Sequence, residues 1–141
     1  RRVGRDVFVR LDVGDEMHAS IRELSEHGIS AAAITSGIGR IRNTVIGYLD
    51  ADGVYQKEVL EAPVELLSTQ GNLAPGPDGA FTHIHIVASD DDHAVHGGHL
   101  FEATVEVTAE MHLRVLGDED SPFKREATDS EFLRLSFCDL G

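Results

Sequence analysis

The sequence predicts an α+β domain, a sheet with one main helix packed on it, and three observations carry that reading. A single stretch, about residues 15–27, repeats its apolar residues at helical spacing. The runs 6–13 and 103–116 alternate apolar with polar residues, as half-buried strands do. The apolar content is 41% of 141 residues, with few aromatics and no Trp, so Val, Ile, Leu and Ala must build the core. At 15.3 kDa the chain has the size of one domain, and residues 1–141 are read as a single unit.

Each element follows from local signals. Asp6 to Val13 sets Val7, Val9 and Leu11 on one face and ends at Gly14. From Asp15 to His27, Met17, Ile21 and Leu24 share a helical stripe, Asp15 and Glu16 sit in the first turn, and Gly28 offers a C-terminal cap. Ile29 to Thr35 reads as a buried strand closed by a turn at Ser36-Gly37-Ile38-Gly39. Thr44 to Asp50 and Val54 to Leu60 flank Ala51-Asp52-Gly53, which predicts a hairpin. Pro63 to Thr69 is a further strand, and Gly71, Pro75, Gly76, Pro77 and Gly79 predict a loop without regular structure. Phe81 to Ala88 is a strand, followed by the acidic turn Asp90-Asp91-Asp92 and a short return strand around Gly97-Gly98. Ala103 to Leu116 reads as a long central strand, Gly117 to Thr128 as irregular, and Glu131 to Phe137 as the last strand.

Charge narrows the function classes. With 25 acidic residues against 12 Lys and Arg, the net charge is -13, a field that repels polyphosphate. The early arginines, Arg1, Arg2, Arg5 and Arg10, alternate with apolar residues as a strand does and make no basic arm. No apolar run approaches the roughly 18 residues of a membrane-spanning helix and no signal pattern opens the chain, so cytoplasmic residence is the expectation. Cys138 has no partner for a disulfide and reads as a small packing residue at the end of an apolar run. The Ser36–Gly39 glycines lack the Lys-Ser/Thr of a phosphate loop and the third glycine of a dinucleotide fingerprint, and no GxSxG elbow occurs.

The histidines carry the chemistry. His83 and His85 lie two apart on one strand, so their side chains leave the same face of the sheet. If the chain reverses about Asp91 or Asp92, His99 comes opposite His83 or His85 respectively, and opposed residues on antiparallel strands share a face. A bulge at Gly97-Gly98 would shift this register. Neutral imidazoles suit Zn, Fe, Ni or Cu, and three of them with one position left to water is the pattern of open zinc sites. Zinc on His83, His85 and His99 is therefore the expected metal centre. Glu102, three beyond His99, is a candidate to orient an imidazole, supply a carboxylate ligand or act as a base, with a strand-edge surface acid as the equal alternative. His93 belongs to the acidic turn, His96 has the opposite strand parity, and His18, His27 and His112 stand alone, so none of the five is assigned a role. The acidic triplet lacks the spaced oxygens of a calcium loop and reads as a solvated turn.

These residues resemble a known family, the plants-and-prokaryotes-conserved (PPC) domain. The likeness runs through the Asp15–Gly28 helix with Ile29-Ser30-Ala31-Ala32, Ser36-Gly37-Ile38-Gly39, Gly47-Tyr48, Pro63-Val64-Glu65-Leu66-Leu67-Ser68 with Gly71-Asn72, His83-Ile84-His85 and Gly97-Gly98-His99-Leu100. Ala103 departs from it, where the family often has glycine. The resemblance implies a curved antiparallel sheet with one main helix, homotrimeric assembly and a histidine site at His83, His85 and His99. Plant members join the domain to DNA-binding AT-hooks. No Arg-Gly-Arg-Pro core occurs here, so the chain resembles the stand-alone prokaryotic kind and nucleic acid is not an expected partner.

Three functional readings follow. The first is a trimeric, metal-stabilised module with an assembly or regulatory role and a protein or small-molecule partner that the sequence does not name. The second is a metal-dependent enzyme acting on a small substrate, with Glu102 as base or orienter. Its cupin-like variant is weakened, because residues 86–89 are Ile, Val, Ala and Ser, with no Glu. The third, a DNA-associated regulator, rests on analogy to hook-bearing relatives alone.

Overall fold

The structure, a computed structural model, describes residues 1–139. In chain order its elements are β1 (Arg2–Val3), β2 (Asp6–Leu11), α1 (Met17–Arg22), a 3-10 turn over Glu23–His27, β3 (Ala31–Leu49), β4 (Tyr55–Leu60), β5 (Val64–Gly76), β6 (Gly79–Ser89), β7 (Val95–Gly117), β8 (Phe123–Ala127) and β9 (Leu133–Phe137). Seven strands form one antiparallel sheet in the order β1-β2-β7-β6-β5-β3-β4, and β7 also pairs with β3. His99 pairs with His85 on one edge of β7 and Gly47 on the other, and Ala32 pairs with Leu73 and Val115 on the two edges of β3. The sheet therefore curls until β3, β5, β6 and β7 close a ring, which confirms the α+β class with a strongly curved sheet.

The helix is shorter than the predicted 15–27 segment. Glu16 is extended and serves as the N-cap, its carboxylate accepting from the Ala19 N–H at 2.6 Å, so α1 starts at Met17. The Ser25 hydroxyl donates to the Arg22 carbonyl at 2.8 Å, competing for an acceptor the α pattern would use, and the last turn tightens to 3-10 geometry before Gly28 caps it in left-handed conformation. Met17 and Ile21, one turn apart, are fully buried, and α1 packs on β6 and β7. Each such side chain contributes about 1.5–3 kcal/mol.

Three other expectations are corrected. Residues 36–39 make no turn: the predicted strands at 29–35 and 44–50 are one continuous β3, kinked by bulges. A Cβ on Gly39 would lie 2.0 Å from the Thr108 carbonyl oxygen, so this glycine serves close approach of β7. The predicted loop at 71–79 is mostly strand, with Pro77-Asp78 as a tight turn between the Gly76–Gly79 pair. Pro75 is tolerated because the β3 ladder ends at Leu73 and leaves that edge free. The return strand and the long strand after it are one β7, and the region read as irregular holds β8, which pairs with β9 outside the main sheet. The Asp-Gly hairpin stands as expected, with the Asp50 carboxylate accepting from the Asp52 and Val54 N–H groups and Gly53 at positive φ. Among the described residues no helix is long and apolar enough to cross a membrane.

Candidate metal centre

The β6–β7 ladder runs in perfect register from Ser89↔Val95 to His85↔His99, with no bulge at Gly97-Gly98. Of the two possible reversals, the chain therefore turns about Asp92. The Asp90 carboxylate accepts from the Asp92 and Ala94 N–H groups, and His93 takes a positive φ of 63° to complete the turn. His83 and His85 leave the same face of β6, and His99 joins them from β7. The ring centroids lie 5.0, 5.2 and 5.3 Å apart in the three pairs, and one nitrogen from each ring falls within 4.8 Å of the others. The Nε2 atoms of His83 and His85 are 3.0 Å apart. Two nitrogens on one tetrahedral zinc ion stand about 3.3 Å apart, so this pair needs little movement to share one.

Backbone packing makes the site compact. Gly71 of β5 pairs with Ile84, and a Cβ there would lie 1.9 Å from the His83 carbonyl oxygen. Burial lowers the pKa of His83 to about 4, aided by the nearby Arg125 guanidinium and the other imidazoles, and burial together with His83 and His85 lowers that of His99 to about 4. Both rings are thus neutral at pH 7, the form that ligates a metal.

Glu102 does not join the group. It is exposed on β7 opposite Val45, three residues from His99 and so on a different face. His96 pairs with Ala88 and donates to Asp90 at 2.9 Å, and His112 donates to Asp6 on the sheet's outer face, at 2.9 Å. Cys138 is half-buried after β9, its N–H donating to the Pro122 carbonyl.

The lone-residue reading of His18 does need revision. Beyond His85↔His99 the two strands part, and α1 sits at the gap. His18, 7% exposed, spans it: Nε2 donates to the Leu100 carbonyl at 2.8 Å, and Nδ1 accepts from the Thr82 hydroxyl at 2.7 Å. A carbonyl can only accept, and burial disfavours the charged ring, so this tautomer follows. Thr82 precedes His83 and Leu100 follows His99, so His18 holds the two ligand strands at a set separation. Arg125 is a second residue without a local signal. It is 6% exposed, donates from Nη2 to the Asn72 side chain at 2.5 Å and from Nη1 to the Leu133 carbonyl at 3.1 Å, and Asn72 is the β5 partner of His83.

Two cavities meet at His99. One, about 350 Å³, opens on all three imidazoles and is walled by Tyr48, Leu49, Tyr55 and Phe132. The other, about 390 Å³, lies toward His18 and is walled by Tyr55, Phe101 and Phe132. The rings of Tyr55 and Phe101 each stand 4.7 Å from that of His99.

The model of the Plants and Prokaryotes Conserved domain matches residues 1–117. The chain belongs to this family. A metal-containing protein from Archaeoglobus fulgidus is 36% identical to this PPC chain, covering 98% of it and 96% of its own length, with a TM-score of 0.80. A PPC protein from Pyrococcus horikoshii is 29% identical over 97% of this chain and 94% of its own, with a TM-score of 0.82. A Bacteroides thetaiotaomicron protein at 20% identity and a TM-score of 0.84 shares the fold. Among curated proteins, none matches the sequence.

Proposed function

We propose that this PPC domain is a homotrimeric zinc module in which His83, His85 and His99 hold the ion and leave one position for a small ligand. The observation that carries the reading is the convergence of three imidazoles on a cavity, with no fourth protein group in the cluster among the described residues. When bound, zinc supplies an exchangeable position and Lewis acidity. The protein's own part is to hold the rings through the β6–β7 register and the His18 bridge, and to wall the site with Tyr55 and Phe132. The metal-containing relative at 36% identity supports a metal here. Trimer formation is supported by Phe8 and Ile38, exposed apolar residues on the outward sheet face, and light scattering should return three times the 15.3 kDa chain mass.

A second reading, a metal-dependent enzyme on a small substrate, is favoured over a purely structural ion by the two cavities at His99. A DNA-associated role has the net charge of -13 against it. The deciding experiment is elemental analysis of the purified chain beside His83→Ala/His85→Ala. About one zinc per chain in the first and none in the second is the expected result. No metal in either defeats the reading.

A further inference from the structure

Most cations of this acidic chain are neutralised. Seven of the twelve Lys and Arg side chains, Arg2, Arg10, Arg40, Arg42, Arg114, Lys124 and Arg134, each have a carboxylate oxygen within 3.5 Å. Arg22 and Lys57 have no such partner among the described residues, and both line the cavity that runs from His99 toward His18. The Lys57 ammonium stands 4.5 Å over the Phe101 ring, which leaves its charge available to the cavity. Behind the wall, the guanidinium of Arg125 lies 5.8 Å from the Phe81 ring, and its buried Nε has no hydrogen-bond partner. One acid faces the same space, Glu131, and one of its oxygens already accepts from the Tyr55 N–H at 2.6 Å. Free cations gathered in one cleft of a protein with net charge -13 form a local positive site in a repelling field, a discriminating arrangement for a small anion. Four of the remaining lining residues, Tyr55, Phe81, Phe101 and Phe132, carry benzene rings, and Leu100 and Leu133 add apolar surface. Phe132, with Glu131 and Leu133, comes from the segment beyond residue 117, outside the stretch the family model matches.

We propose that this cleft takes a small organic anion with a flat apolar body, its carboxylate or phosphate group met by Arg22 and Lys57 and its body by Tyr55, Phe101 and Phe132, beside the centre formed by the three histidines. The proposal deepens the zinc reading and rests on it for what the far end of the ligand meets. The charge contact is independent of the metal. Residues 131–133 are the part of the chain that tailors the cleft to its ligand.

The test is calorimetric titration of the zinc-loaded full chain at low ionic strength with benzoate and phenyl phosphate, against benzyl alcohol and benzylamine. At least one anion should saturate a single site at least about tenfold more tightly than the neutral and cationic probes, and the tighter anion tells carboxylate from phosphate. Arg22→Met/Lys57→Met, both exposed positions, should weaken that anion by at least about tenfold while zinc stays at one per chain. Equal binding of benzyl alcohol, or an unchanged affinity in the double variant, overturns the proposal, the latter because the anion then sits on the metal alone. If the wild-type chain carries no zinc, the metal reading fails separately. The same titration on the metal-free chain then decides the cleft: charge-selective binding supports it and none overturns it.

Discussion

Two histidine sites sit on the same sheet and do opposite things. At His112 the imidazole is satisfied: Nε2 donates to Asp6 at 2.9 Å, Nδ1 meets the Thr35 hydroxyl, and Arg114 completes the ion pair with Asp6. At His83, His85 and His99 the rings face one another, and among the described residues no carboxylate joins the cluster. The same side chain is a structural hydrogen-bonding group where an acid meets it and a candidate ligand where only other imidazoles do. Environment, and not residue type, separates the two.

Removing ligands should separate them most sharply. His99→Ala is expected to abolish stoichiometric zinc, whereas Asp6→Asn leaves one ion per chain, both read by elemental analysis. Next in size is His18→Ala, which opens a cavity between α1 and the sheet and orphans the Leu100 carbonyl. A loss of about 2–4 kcal/mol in chemical denaturation is expected, with weaker zinc affinity by about tenfold or more because the ligand strands lose their spacer. A destabilised variant with unaltered zinc affinity would show that His18 serves packing alone.

pH should divide the sites as well. His83 and His99 titrate at about 4 in the folded chain against 6.5 in a free side chain, and burial lowers His18 too. The unfolded chain therefore binds protons first. The metal-free protein should hold full stability above pH 6.5 and lose it progressively toward pH 4, with a shallower loss in His83→Ala/His99→Ala. Asp6 acts in a lower window: its hydrogen bond from His112, then Arg114, holds its pKa below the usual 3.8, so its contribution persists above that pH and is lost only as pH falls further. The smallest effect is Asp6→Asn on thermal stability: the Asp6 side chain is 44% exposed, and the loss of its charge should move the midpoint by no more than about 2 °C.

Much of the site was legible because its signals are local. The strand parity of His83 and His85 needs only the alternation of a strand, and the acidic turn limited the register to two choices. His99 followed from that same alternation on the return strand. The fold class was readable for the same reason, since one helical stripe and several alternating runs leave few architectures.

Lengths and closures were not legible, because they depend on segments far apart in the chain. Gly37 and Gly39 read locally as a turn, yet β3 continues through them, bulged on either side, where β7 needs close approach to the Gly39 backbone. His18 lies 64 residues from Thr82 and 82 from Leu100, so nothing around it in sequence marks the bridge it makes. Tyr55, Lys57 and Phe132 reach the cleft only because the sheet curls shut and the β8–β9 hairpin folds back on it. By itself the sequence determined which residues can act as ligands and which face they occupy, because side-chain chemistry and the period of a strand are properties of the chain. The tertiary structure alone decided what surrounds those ligands, because burial, the lowered pKa values of His83 and His99 and a cation-lined cleft exist only once distant segments pack together.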